Sequence, residues 1–176
     1  MDATRALAVQ HRTIEALFDN LALETRRRSR ATAVSRLAEE LLAHLIAEEQ
    51  VFYPAVQRAL ERAPATRKTR HEHLALRVGL RRLLETSLGD ATFPERIDAL
   101  KGSFAAHVRD EEAQVFPRFM SAVPEAQREA LGAEILSSRP SVWMVTTAGR
   151  AAASARDEWA SSGRVCLPGP RRKPQG

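Results

Sequence analysis

The feature that most constrains this chain is a motif that occurs twice. The first copy, H-L-I-A-E-E-Q-V-F-Y-P, spans residues 44–54, and the second, H-V-R-D-E-E-A-Q-V-F-P, spans residues 107–117. Each copy has a histidine, carboxylates four and five positions later, and an aromatic residue followed by a proline at its end. Two further histidines, His11 and His73, are separated by nearly the same stretch of chain as His44 and His107. The repeat predicts two copies of one helical unit, related by a pseudo-two-fold axis.

The spacing within each copy places a histidine and a glutamate on one face of a helix. Residues four apart lie one above the other, so His44 and Glu48 can reach one point in space, as can His107 and Glu111. An imidazole and a carboxylate form a mixed nitrogen and oxygen donor pair that suits iron, manganese or zinc. A single copy is better explained as a surface His–Glu contact. Two copies, each within an apolar stripe, favour a two-metal site.

Apolar residues recur every three or four positions through most of the segment 1–136, which predicts amphipathic helices. We expect helix A over residues 3–24, helix B over about 31–62, helix C over about 66–88, helix D from Pro94 and a short fifth helix over 124–137. The basic residues 25–30 form a loop in this interpretation. Short links between long helices predict an all-α, up-down-up-down four-helix bundle.

Each of the four long helices carries one histidine on its inward stripe. An ionisable group on such a stripe is costly unless it is paired or binds a cation. The candidate metal ligands are therefore His11, His44, Glu48, His73, His107 and Glu111. A fifth histidine, His71, points about 200° away from His73 on a helix, which places it at the surface or behind the ligands.

Several neighbouring residues have a predicted local role. Glu49 and Glu112 follow the ligand glutamates and point about 100° away from them; solvated charge and hydrogen bonds to the ligand histidines are the two alternatives. Pro54 is expected to kink helix B. Gly89 is a candidate left-handed cap for helix C, and Thr92 a candidate N-cap for helix D.

Composition limits the class of protein. The N-terminus has no uninterrupted apolar stretch typical of a signal peptide, no segment approaches the roughly 20 apolar residues of a membrane span, and Cys166 is the sole cysteine. A cytoplasmic protein is expected. The net charge of +5 lies entirely in the segment 137–176, because acidic and basic residues balance over 1–136. We expect 1–136 to form the domain and 137–176 to be a disordered basic tail. Binding of the tail to a partner or an anionic surface is the alternative.

The motifs resemble the hemerythrin-like, HHE cation-binding family. The resemblance covers about residues 3–136 and is carried by H-R-T-I-E-A-L-F at 11–18, E-H at 72–73 and the two long motifs. It implies a four-helix bundle around a non-haem di-iron centre. By position it implies that His11 and His44 serve one iron, His73 and His107 the other, and that Glu48 and Glu111 bridge the two. Oxygen carriers of the family use a fifth histidine one turn from another on the third helix. Thr69 and Arg77 stand at those positions here.

Three functions are compatible with these residues. The first is a di-iron protein that binds or senses oxygen, nitric oxide, peroxide or iron, with no catalytic residue beyond the metal site. The second is a di-iron enzyme that decomposes peroxide, which the missing fifth histidine favours. The third is a metal-free helical interaction module. None of them requires a specific nucleic acid or a membrane as a partner.

Overall fold

The computed structural model describes residues 1–60 and 65–137, and within these ranges it contains helices and no strand. The α-helices are α1 (Ala3–Leu23), α2 (Arg27–Ala47), α3 (Tyr53–Ala59), α4 (Ala65–Glu85), α5 (Phe93–Asp110), α6 (Phe116–Ala122) and α7 (Glu125–Ser137). A first π-helical turn, Glu48–Phe52, joins α2 to α3, and a second, Glu111–Val115, joins α5 to α6.

The four long helices form the predicted up-down-up-down bundle. Helix α1 packs along α2 and α5, and α4 packs along α5 and α2, so that each long helix has two neighbours. The predicted fifth helix is α7, which packs against α1. Gly132 is the point of closest approach, because a Cβ at this position would collide with the backbone of Met1, Asp2 and Ala3. The fold class read from the sequence is confirmed.

Helix α2 begins earlier than expected, at Arg27, within the run predicted as a loop. Arg30 explains the difference. Its guanidinium donates to the Glu24 and Leu88 carbonyl oxygens at 2.9 and 2.8 Å, and it lies 5.3 Å from the centre of the Phe93 ring. These contacts hold the first turn of α2 against the segment that contains Leu88 and Phe93. Solvation of the arginine alone would not hold it there.

Of the two predicted caps, Gly89 is wrong, and Thr92 is confirmed in position but not in its hydrogen bond. Helix α4 ends at Glu85, and Gly89 does not adopt a positive φ. Thr92 occupies the N-cap position of α5, but its hydroxyl makes no cap bond. It donates instead to Asp90 Oδ1 at 2.7 Å, and the same oxygen accepts from the Thr92 N–H at 2.8 Å. The turn formed by Asp90 therefore sets the start of α5, because the short aspartate side chain accepts hydrogen bonds from the nearby residue Thr92.

The π-helical turns occur at the repeated motif, where the sequence predicted a kink at Pro54. The Tyr53 N–H donates to the Glu48 carbonyl and the Phe116 N–H to the Glu111 carbonyl, both five positions back. Each turn starts at a candidate ligand and ends shortly before a proline, Pro54 or Pro117. A proline has no N–H that could donate a hydrogen bond to the helix. The π-helical turn changes the backbone hydrogen-bond spacing from four to five residues directly before the proline. Such turns are frequent at functional sites.

Two apolar clusters fill the bundle, and the candidate ligands lie between them. One cluster is centred on residues such as Leu37, Leu80 and Phe104, and the other on Leu7 and Phe119 among others. Both are formed by side chains from several helices. A layer of histidine and glutamate is thus enclosed on both sides by packed apolar groups.

The predicted tail lies outside the described residues from 138 onward, as do residues 61–64 at the expected end of helix B. The disorder of the tail and the domain boundary at 136 stay predictions. Among the helices that the structure describes, none combines the length and apolarity that crossing a membrane requires.

Candidate metal centre

The six predicted ligand side chains meet in the middle of the bundle. Each of the long helices α1, α2, α4 and α5 supplies one histidine, and each π-helical turn supplies one glutamate as its first residue. All six side chains, His11, His44, Glu48, His73, His107 and Glu111, are at most 3% exposed. The helical periodicity predicted that these six side chains form one cluster, and they lie together in the tertiary structure.

Glu48 is the centre of the cluster. Its Oε1 lies 3.0 Å from His44 Nε2 and 3.8 Å from His11 Nε2. Its Oε2 lies 3.0 Å from His73 Nε2 and 3.5 Å from His107 Nε2. One oxygen thus faces each of the two histidine pairs that the repeat predicts.

Glu111 is placed differently. Its Oε2 lies 3.2 Å from His11 Nε2 and 4.0 Å from His107 Nε2. Its Oε1 accepts a hydrogen bond of 2.8 Å from the hydroxyl of Tyr53, a buried side chain. Only one of its oxygens is left to face the histidines. The sequence did not identify Tyr53 as part of the site. The signal that could have identified it is a difference between the two motifs, because Phe116 stands in the second copy where Tyr53 stands in the first.

The inward-facing atoms of all six residues lack hydrogen bonds. They are Nε2 of the four histidines, both carboxylate oxygens of Glu48 and Oε2 of Glu111. A buried polar atom left unsatisfied costs about 1–3 kcal/mol, and a cluster of such atoms is stable only if something compensates them. Donor atoms of His11, His44, Glu48 and His107 lie within 4.8 Å of one another. Their nitrogen and oxygen chemistry, without a thiolate, fits a transition-metal cation such as iron.

Each histidine is oriented from behind by a hydrogen bond from its Nδ1. The acceptors are Glu112 for His11 (2.8 Å), Gln10 for His44 (3.0 Å), Glu49 for His73 (2.9 Å) and Glu72 for His107 (3.5 Å). Carboxylate and amide oxygens can only accept, so Nδ1 carries the proton and the lone pair of Nε2 points inward. This is the arrangement that metal-binding histidines require.

Glu49 and Glu112 thus take the second of the two roles considered for them. Both remain partly exposed, and each also accepts a hydrogen bond from a surface arginine. Arg77 donates to Glu49 at 2.9 Å and Arg12 to Glu112 at 2.5 Å. Arg77, at one of the positions examined for a fifth histidine, therefore pairs with Glu49. Thr69, at the other, is buried, and His71 is exposed.

At the histidines of the cluster, burial and the neighbouring carboxylates shift the pKa in opposite directions. Burial lowers the pKa of His11, but contacts with Glu111 and Glu48 outweigh it and raise the pKa to about 9. The same balance, mainly through Glu48, raises the pKa of His107 to about 11. Burial and the neighbouring Glu48 raise the pKa of Glu111 to about 7. Without a metal the cluster therefore binds protons, with which a cation competes.

Fold and site together define a class: an up-down-up-down helical bundle with a buried His/Glu cluster that could hold a cation. The protein-family comparison matches residues 2–119 to the Hemerythrin HHE cation binding domain. The chain therefore belongs to the hemerythrin HHE cation-binding family.

A solved structure has a similar fold. The chain is similar to the crystal structure of a hemerythrin HHE cation binding domain-containing protein from Mycobacterium kansasii, with a TM-score of 0.75 and 24% sequence identity. The similarity covers 86% of this chain and 96% of that one. No curated protein matches the chain.

Proposed function

We propose that the protein is a non-haem di-iron protein that binds or senses a small molecule such as oxygen, nitric oxide or peroxide. The observation that carries the proposal is the position of Glu48, with one carboxylate oxygen toward His11 and His44 and the other toward His73 and His107. A carboxylate placed between two pairs of imidazoles could contribute one oxygen to each of two metal ions.

The residues of the chain divide the work. The four histidines and Glu48 would hold the two ions, and Glu111 would contribute the oxygen that is not bonded to Tyr53. Gln10, Glu49, Glu72 and Glu112 hold the imidazoles in the orientation that binding needs. Iron, when bound, supplies a redox couple and coordination positions open to a small molecule. The apolar clusters on both sides exclude bulk water from the site.

Metal analysis tests the proposal. The protein is expressed in iron-replete medium and its metal content and visible spectrum are measured. We expect about two irons per chain, as in carboxylate-bridged bundle sites, and near-ultraviolet bands of an oxo-bridged ferric pair. His44→Ala should lose most of the iron, whereas His71→Ala, the matched exposed histidine, should keep it. Zinc at full occupancy, or no stoichiometric metal after anaerobic loading with ferrous iron, contradicts the proposal.

A second candidate function is decomposition of peroxide, favoured by the hydroxyl of Tyr53. This hydroxyl is buried, donates to Glu111 and has a raised pKa, mainly through burial and the nearby Glu111 and Glu48 charges. It therefore places a retained proton beside the ligand atoms. Steady release of oxygen from hydrogen peroxide that is lost in His44→Ala and kept in His71→Ala supports this function. If the iron-loaded protein releases no oxygen, peroxide decomposition is excluded and the binding or sensing function remains.

A further inference from the structure

A pocket with a volume of about 500 Å³ opens to the surface between α3 and α4. Its inner end is formed by Tyr53, Thr69 and His73, all buried. His73 presents its Nε2 to Glu48, and Tyr53 donates to Glu111. One layer of side chains therefore separates the pocket from the atoms that would hold a metal.

The outer part of the pocket carries positive charge beside apolar side chains such as Leu74. It includes Gln57 on α3 and the guanidinium groups of Arg70 and Arg77 on α4. Arg77 is neutralised by Glu49, which is also bonded to His73. Arg70 is exposed and has no ion-pair partner among the residues that the structure describes. Within the part of the chain that the structure describes, Arg70 therefore presents a cation without an ion pair at the mouth.

The other side of the bundle offers a useful contrast. A pocket of about 660 Å³ lies along α1 and is lined by Arg5, Arg12 and Arg36, with Val9 and Glu112 among the other residues. None of the six candidate ligands lines it. The ring of His11, the ligand candidate on α1, is stacked on the Phe116 ring, with 6.0 Å between the ring centres and an interplanar angle of 4°. Size and positive charge are thus similar, but this pocket does not reach a ligand.

We propose that the pocket between α3 and α4 is the access route by which a small anion reaches the metal centre, with Arg70 attracting the anion at its mouth. The inference rests on the proposed function, because it assigns a route to the site where iron would bind. It adds the side of the bundle by which an anionic ligand such as hydroperoxide enters and the residue that attracts it. Charged groups lining a cleft raise the local concentration of oppositely charged ligands and their association rates.

Azide is a suitable probe, because it is a small anion that binds ferric iron and produces a visible absorption band. Iron-loaded protein is mixed with azide in a stopped-flow instrument, and the association rate constant is taken from the growth of the band. Gln57→Trp fills the mouth with a ring and should lower the rate constant at least about tenfold. Arg70→Glu should lower it by about tenfold at low salt, with a smaller effect at high salt, as expected for electrostatic steering.

Val9→Trp and Arg36→Glu are the matched controls, since they make the same changes in the pocket along α1. Both should bind azide at the wild-type rate. Iron content is measured for every variant, so that loss of metal is not mistaken for a blocked route. Wild-type rates in Gln57→Trp and Arg70→Glu at full iron content overturn the proposed route while the di-iron proposal stands. An effect of Gln57→Trp without one of Arg70→Glu overturns the preference for anions. A wild-type protein that takes up no iron overturns the proposed function and this inference together.

Discussion

Each half of the site combines one copy of the repeated motif, residues 44–54 or 107–117, with a facing helix, and the side chains in and around the candidate ligands differ at two positions. Tyr53 in the first copy corresponds to Phe116 in the second. On the helices that face them, Gln10 before His11 corresponds to Glu72 before His73. All other ligand and orienting residues are of the same type in the two halves.

The first difference changes the two glutamates. The Tyr53 ring packs edge-on against His73 at 5.9 Å, and the Phe116 ring stacks on His11 at 6.0 Å. Both rings cover a histidine, but only Tyr53 has a hydroxyl, which crosses to Glu111. Glu48 therefore keeps two free oxygens and Glu111 keeps one.

The second difference changes the two histidines on the motif itself. His44 is oriented by the neutral Gln10, and His107 by the carboxylate of Glu72. A carboxylate makes the imidazole a stronger ligand than an amide does. The two halves of the site thus have similar backbones but different electronic properties, and the differences are a hydroxyl group and a carboxylate.

The largest expected effect separates the two glutamates. Glu48→Gln removes the charge that faces four imidazoles, and breaking a buried ion pair in this way costs about 3–5 kcal/mol. Glu111→Gln should cost about 1 kcal/mol, because the pKa of about 7 already leaves Glu111 partly neutral. Urea unfolding of both variants in the presence of a chelator measures the difference. Equal destabilisation would show that the two carboxylates are equivalent.

Tyr53→Phe makes the first half like the second. The change leaves Glu111 Oε1 buried without its donor, so the metal-free protein should lose about 1–3 kcal/mol of stability. The metal-loaded protein should lose less, because the freed oxygen becomes available as a ligand. Urea unfolding with and without bound iron tests both statements. A metal-free variant as stable as the wild type would show that the hydroxyl does not distinguish the halves.

Exchanging the orienting residues should move metal affinity in opposite directions. Glu72→Gln should weaken metal retention by about tenfold, and Gln10→Glu should strengthen it by a similar factor, within the range known for such outer partners. The rate and extent of metal removal by a competing chelator give the comparison, and each variant serves as the control for the other. Changes of the same sign in both would contradict the proposed asymmetry.

The two halves also differ in the protonation of the histidine on each motif. In the metal-free protein the pKa of His107 is raised to about 11, whereas burial lowers the pKa of His44 below its usual 6.5. His107 therefore contributes stability that is full below pH 6.5 and is lost as pH rises through about 11. His44 contributes in the opposite sense, and stability falls as the pH drops below 6.5. Nitrogen chemical shifts of the imidazoles at pH 7.5 should show a charged His107 and a neutral His44. Two neutral rings would contradict this.

Metal loading should remove the pH dependence of His107. A metal displaces the proton from Nε2, so the loaded protein should gain metal affinity as pH rises. The metal-free protein should lose stability over the same range, as His11 and His107 deprotonate through about 9 and 11. Thermal unfolding of both forms between pH 6 and pH 10 measures the two slopes, and slopes of the same sign would contradict the assignment of these histidines as ligands.

Much of the fold followed from local periodicity. The stripes through His11 and His44 predicted the helices and the inward direction of these side chains, because burial selects residues at helical spacing. The repeat predicted that six ligands would meet. Helix ends were less predictable, since α2 starts at Arg27 through the contacts of Arg30 with Leu88 and Phe93, residues far away in the chain.

The sequence by itself determined the bundle and the six candidate ligands, because helical spacing and the doubled motif are properties of the chain. Only the tertiary structure decided which residues support those ligands. The four orienting contacts join residues 24 to 101 positions apart, and the bond from Tyr53 to Glu111 joins the two halves. A residue such as Glu112 points away from its own helix's inward stripe, so periodicity assigns it to solvent. The neighbouring helix α1 places His11 next to Glu112, so that Glu112 lies behind the His11 ring instead.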